Sequence, residues 1–106
     1  MSMGKPENYV ESYLYSRVRA SGGLCLKFMS SISGVPDRIV ILAGRTVFVE
    51  TKALGKKPRK LQLVRFNEMR VAGADVRVID SRELVEELIS ELLASSSGSS
   101  TLRAVA

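Results

Sequence analysis

The sequence predicts one α/β domain in the order αβββαβα, a small mixed sheet flanked by helices. Three observations carry this. Residues 39–42 and 46–49 are rich in β-branched and aromatic side chains and are separated by a short glycine-containing link, which reads as a hairpin. Val10, Leu14 and Val18, and again Leu84, Leu88 and Leu92, recur at helical spacing. Residues 74–79 alternate directly after a helix-length segment stopped by Gly73, as in a βαβ crossover. A chain of 106 residues, 45% of them hydrophobic, suits one compact domain.

Residues 1–5 read as a flexible N-terminus and residues 6–93 as the folded domain. Pro6 suits the first position of a helix that runs to Ala20 and ends at Gly22-Gly23. Leu24 to Phe28 alternates as a first strand, with Lys27 pointing away from Leu24, Leu26 and Phe28. A polar loop, Ser30 to Gly34, leads to Pro36, which opens the second strand where its missing N–H costs little. A second helix spans Leu61 to Val71. Asp80 or Ser81 caps the third, with Glu83 placed for a capping box. Residues 94–106 are serine-rich and are expected to be a disordered tail.

The hairpin gathers charge. With Gly44-Arg45 as a two-residue turn, Ala43 faces Thr46, Ile41 faces Phe48, Ile39 faces Glu50 and Asp37 faces Lys52. Side chains alternate with period two, so Asp37, Glu50 and Lys52 emerge on one side of the sheet. Opposite residues stand roughly 5 Å apart and diagonal ones roughly 7–8 Å. A three-residue loop would reverse the parity. The same face carries Phe48, Ile39 and Ile41 and is expected to be core, where charged groups need a reason. Two neighbouring carboxylates suit a hard divalent cation such as Mg²⁺, and a lysine beside them can orient water or stabilise charge on a phosphate. On the first helix, Glu11 lies within about 60° of Leu14 and Val18, on the buried side, and Glu7 falls in the same arc. Glu7 has an alternative role in the helix dipole; Glu11 is the preferred partner for the two carboxylates.

Lys56, Lys57, Arg59 and Lys60 surround Gly55 and Pro58 directly after this strand, placed to hold a phosphate backbone or simply solvated. The net charge of +5 is compatible with a polyanionic partner. A single Cys25 and no His exclude an internal disulfide and a Cys/His zinc cluster, and remove the usual general base. No apolar run is long enough for a membrane span and no signal peptide opens the chain. The expected location is intracellular: cytoplasm or nucleoid, or a host cytoplasm if the source is viral.

Gly34-Val35-Pro36-Asp37-Arg38, then Phe48-Val49-Glu50-Thr51-Lys52, then Gln62, closely resembles the VRR-Nuc domain of the PD-(D/E)xK nuclease superfamily, over about Tyr9 to Leu93. The resemblance implies a restriction-endonuclease-like core and a Mg²⁺- or Mn²⁺-dependent endodeoxyribonuclease. It implies Asp37 and Glu50 as metal ligands, with the backbone carbonyl of Thr51, and a helix-1 glutamate, Glu11, completing the cluster directly or through water. Lys52 and Gln62 would position the attacking water and stabilise developing charge, and Lys27 would lie near the active face or at a solvated edge. Stand-alone members resemble homodimeric nucleases acting on branched DNA such as Holliday junctions. A monomeric flap or nicking nuclease, a DNA-binding accessory module without catalysis, and an interaction domain built on the third helix are the alternatives.

Overall fold

The computed structural model describes the backbone of residues 6–105 and the side chains of residues 9–95. Its elements are α1 (Pro6–Ala20), β1 (Leu24–Lys27), β2 (Arg38–Leu42), β3 (Arg45–Thr51), α2 (Lys60–Val71), β4 (Val76–Ile79) and α3 (Arg82–Val105). The four strands form one sheet in the order β1-β2-β3-β4. The first three pair antiparallel and β4 runs parallel to β3, reached through α2. The αβββαβα order and the mixed sheet are those expected. The backbone of α3 is helical to Val105, past Leu93 where the apolar stripe ends. Residues 1–5, and the side chains beyond residue 95 of the expected disordered tail, lie outside the described residues.

The main core lies on one face of the sheet. Val10, Leu14 and Val18 of α1 and Val85, Leu88, Ile89 and Leu92 of α3 pack on Cys25, Val40, Leu42, Val47, Val49 and Ile79. On the other face α2 lies against β4, where Phe66 and Val76 are buried. The face with Ile39, Ile41 and Phe48, expected to be the core, is therefore the second face. The reason is coverage. Two helices close the valine-rich face, while the single helix α2 leaves the β1–β2 half open, so that Leu24 and Leu26 are 45% and 44% exposed.

The hairpin turn is Ala43-Gly44, one residue earlier than expected, because Leu42 pairs with Arg45 and Ile39 with Phe48. Both turn residues have positive φ, 54° and 82°, which is a type I′ turn and matches the twist of the strands. Moving a two-residue loop by one position changes each partner by two residues and keeps the parity. Asp37, Glu50 and Lys52 stay on the predicted side, but continuing the ladder places Asp37 across from Glu50 rather than Lys52.

Gly34 shows why the loop before Asp37 is built as it is. Its φ is +90°, and a Cβ there would stand 3.1 Å from the Leu61 carbonyl oxygen and 3.3 Å from Cβ of Arg65. Arg65 in turn donates from Nε to the Ser33 carbonyl at 2.8 Å, locking the loop onto α2. Gly34→Ala is expected to cost about 2 kcal/mol through the strained φ and the close approach, read as a lower urea midpoint at unchanged slope. An unchanged midpoint would mean that this loop is not held as described.

At the start of α3 the cap is Ser81, whose Oγ accepts the Leu84 N–H at 3.2 Å. Asp80 instead accepts the Gly55 N–H at 3.1 Å and ties down the loop after β3. Among the described residues no helix is long and apolar enough to cross a membrane.

Candidate active site

β3 carries Glu50 to the end of the sheet, with its side chain on the α2 side. The Lys52 N–H donates to the Ile79 carbonyl at 3.0 Å, so the backbone stays in the β3–β4 ladder through this point. Glu50 is buried, at 4% exposure, and two groups converge on its Oε2. Gln62 donates from Nε2 at 2.9 Å, and Nζ of Lys52 lies 3.1 Å away. Oε1 of Glu50 accepts no hydrogen bond among the described residues.

Gln62 is held at both ends of its amide. Its Oε1 accepts the Arg59 N–H at 3.0 Å, which is the reach-back half of a capping box, while Nε2 holds Glu50. The start of α2 and the end of the basic loop are thus tied to Glu50 through one side chain. The sequence pointed to Gln62 through resemblance and gave no hint of this double attachment.

Asp37 is half-buried, and Thr51 satisfies it twice. The Thr51 N–H donates to Oδ1 at 3.2 Å and its hydroxyl to Oδ2 at 2.9 Å. The Thr51 side chain was not foreseen; a fully buried Thr between Glu50 and Lys52 is the available signal. Burial pushes the Asp37 carboxyl up to about 6, the Glu50 charge pushes the same way, the two Thr51 hydrogen bonds oppose, and Glu11 adds a small upward contribution.

Glu11, expected to complete the cluster directly or through water, is engaged by a guanidinium in this structure. It pairs with Arg38, whose Nε donates at 2.8 Å and whose second nitrogen lies 2.6 Å away. Arg38 is adjacent in sequence to Asp37 and on the opposite side of the strand, facing α1, so it intercepts the helix-1 acid. Among the described residues no group of three or more Asp, Glu, His or Cys side chains is arranged to hold a metal ion. The Glu7 side chain lies outside the described residues. Asp37 and Glu50 nevertheless fit a hard cation. Both offer carboxylate oxygens, Oε1 of Glu50 is unengaged, and a positive charge between them would offset the repulsion that raises Asp37.

Lys27 is exposed and pairs across the ladder with Arg38, one residue from Asp37. Lys56, Lys57, Arg59 and Lys60 are all exposed. Among the described residues none of these five is in an ion pair, whereas Arg17, Arg45, Arg65 and Arg77 on other surfaces each are. Four of these five follow β3 directly, in the loop and first helical turn after Lys52.

The raised Asp37 carboxyl has a measurable consequence for stability. Its folded form prefers the proton, so without metal the stabilisation is full below about pH 4 and is lost as pH rises towards 6. The change is about 2 kcal/mol, allowing for solvent screening at a half-buried site. Asp75, Glu86 and Glu91 are held below the usual carboxylate range by hydrogen bonds from arginines and act in the opposite sense as pH falls. The difference between wild type and Asp37→Asn, unfolded in EDTA across pH 4–8, therefore isolates Asp37. The variant is expected to be the more stable at pH 7; equal stability throughout would contradict the burial of the Asp37 charge beside Glu50.

A three-helix, four-stranded mixed sheet with an acid pair and a lysine at the exit of its third strand defines the class: a small restriction-endonuclease-like α/β domain. No family model matches the chain. A protein titled "Putative nuclease p44", from Acyrthosiphon pisum secondary endosymbiont phage 1, is 44% identical over 80 residues, covering 74% of this chain and 86% of that protein. A solved structure described as "VRR_NUC domain" superposes with a TM-score of 0.74 at 38% identity, covering 82% of this chain and 97% of the other. The chain belongs to the VRR-Nuc family of nuclease domains.

Proposed function

We propose that this protein is a divalent-metal-dependent endonuclease that hydrolyses phosphodiester bonds in DNA, with branched duplexes such as Holliday junctions as substrate and a homodimer as the working form. The observation that carries the reading is the convergence of Lys52 and Gln62 on one oxygen of a buried Glu50, with Asp37 across from it where the β2–β3 register continues. The nuclease title of the phage relative points the same way. A Mg²⁺ or Mn²⁺ ion held by Asp37, Glu50 and the Thr51 carbonyl would polarise the scissile phosphate and acidify a water.

The chain's own residues do the rest. Lys52 is fixed through Glu50 but keeps ammonium hydrogens for a phosphate oxygen or the attacking water. Gln62 orients Glu50 and keeps a second amide hydrogen for the same purpose. Thr51 holds Asp37 in place. Arg38 neutralises Glu11, which would otherwise repel the incoming backbone. Hydrolysis adds water across the ester: the water oxygen bonds to phosphorus, one P–O bond breaks, and the departing oxygen takes a proton. The open apolar β1–β2 face, with Leu24, Leu26 and Ile41 each at least a third exposed, supports a second copy as partner.

The test is cleavage of a four-way junction, a flap, a duplex and single-stranded DNA in Mg²⁺, Mn²⁺ or EDTA. Metal-dependent cutting, fastest on the junction, is expected. A preference for the flap would favour a monomeric flap enzyme, and binding without cutting would favour an accessory module. Neutralising Lys56, Lys57, Arg59 and Lys60 together is expected to weaken DNA binding and reduce its salt slope by up to about 3.6, at roughly 0.9 per phosphate contact. An unchanged slope would remove the loop from the interface.

A further inference from the structure

A hollow of about 290 Å³ opens beside the exit of β3, bounded by Tyr9 and Val10 of α1, Leu54 of the following loop and Arg82 of α3. Its wall is almost wholly apolar. Its size is at the lower end of the roughly 300–1,000 Å³ typical of small-molecule sites, room for one ring system rather than for a strand. The rim is open among the described residues: Tyr9 is 52% exposed and Leu54 75%.

The place matters as much as the shape. In the sequence, Leu54 is two residues beyond Lys52 and two before Lys56; in the fold the hollow opens on the α1–α3 side of the sheet, past the end of β3. The loop is pinned here by the bond from the Gly55 N–H to Asp80. Tyr9 is also held, because Arg82 donates to its hydroxyl at 2.7 Å while the guanidinium lies 4.6 Å from the Tyr13 ring centre. The Tyr9 ring is therefore held in place, with the Arg82 guanidinium 5.8 Å from its centre. Asp80 and Glu83 are also among its lining residues and their charge disfavours a phosphate there, while the apolar surface suits the flat face of a base. The backbone has its place on the lysines; the hollow suits what hangs from the backbone.

We infer that the Tyr9–Leu54 hollow receives a single unpaired nucleobase of the DNA substrate. The inference rests on the nuclease reading and deepens it. A base stacked in a perfect duplex must be extracted at a cost, whereas a bulge or branch point offers one already loosened, so the hollow selects distorted DNA over plain duplex. Stacking on an aromatic ring supplies the gain whichever base is offered.

The experiment is equilibrium binding in EDTA, which makes it independent of cleavage. Two duplexes are compared, identical except for one extra unpaired 2-aminopurine, whose fluorescence reports stacking. Wild type is expected to bind the bulged DNA about tenfold tighter than the duplex and to quench the probe. Tyr9→Ala and Leu54→Ser are expected to lose that preference and the quenching while keeping duplex affinity; both sites are exposed, so folding is preserved. Tyr9→Phe, which keeps the ring and loses the Arg82 bond, is expected to retain most of the preference. Equal affinity of wild type for the two DNAs, or a preference that survives in Tyr9→Ala, overturns the inference and leaves the nuclease reading standing. Binding to neither DNA overturns both.

Discussion

Asp37→Asn and Glu50→Gln are each expected to lower the cleavage rate roughly a thousandfold or more at saturating metal, with DNA binding in EDTA unchanged or tighter. The two halves of the result come from one charge. Burial deprives the Asp37 carboxylate of water, Glu50 repels it, and both acids repel a phosphate, so neutralising one relieves the apoprotein and its complex with DNA. The Asp37→Asn protein is accordingly expected to be more stable than wild type near neutral pH by about 2 kcal/mol, the reverse of most substitutions at half-buried positions. Adding Mg²⁺ should raise the melting temperature of wild type and leave that of Asp37→Asn nearly unmoved. Full activity in either variant would remove these residues from the chemistry. An equal response of both proteins to Mg²⁺ would place the ion elsewhere.

The second large effect is expected far from any phosphate. α2 buries two residues, Phe66 and Gln62. Phe66 is completely enclosed, and α2 otherwise shows exposed Leu61, Leu63, Val64 and Val71. The Phe66 ring is the apolar anchor of the helix, beside the two bonds from Arg70 to the Val76 carbonyl of β4, and the helix holds Gln62 against Glu50. Phe66→Ala is expected to cost about 3–5 kcal/mol, a large share of the roughly 5–15 kcal/mol available to a domain of this kind. It should also reduce cleavage under conditions where the protein remains folded, because Gln62 loses its seat. Phe66→Leu should restore most of both. A variant that loses stability but keeps the wild-type rate would show that α2 packing and Glu50 geometry are separable.

Much of this architecture is legible in the sequence because local rules and tertiary packing agree. The helical repeat of Val10, Leu14 and Val18 and the stripe of Leu84, Val85, Leu88, Ile89 and Leu92 fall on the two helices that close the main core, with Leu84 at its edge. The placement of Asp37, Glu50 and Lys52 on one side survived a displaced turn, because parity depends on whether a loop has an even number of residues and not on where it begins. Which face would be the core was not legible. Both faces carry apolar residues, and only the assignment of two helices to one and one to the other decides it. The Glu11–Arg38 pair was hidden for a related reason. Helical spacing put Glu11 on an inward arc, but the competing guanidinium comes from another element, 27 residues away. The double role of Gln62 likewise depends on a contact across 12 residues that no local pattern encodes.

The most direct measurement is the single-turnover cleavage rate of a four-way junction in Mg²⁺ by wild type and by Lys52→Ala, with both proteins shown to be folded and to bind the junction in EDTA. The Lys52 ammonium stands 3.1 Å from Glu50 and has no other partner among the described residues, so its removal tests the constellation without removing a metal ligand. Metal-dependent cutting by wild type is expected, with a rate lower by roughly a hundred- to a thousandfold in the variant at similar affinity. Wild-type rates in Lys52→Ala, or no cutting by wild type in any metal, would contradict the proposed function.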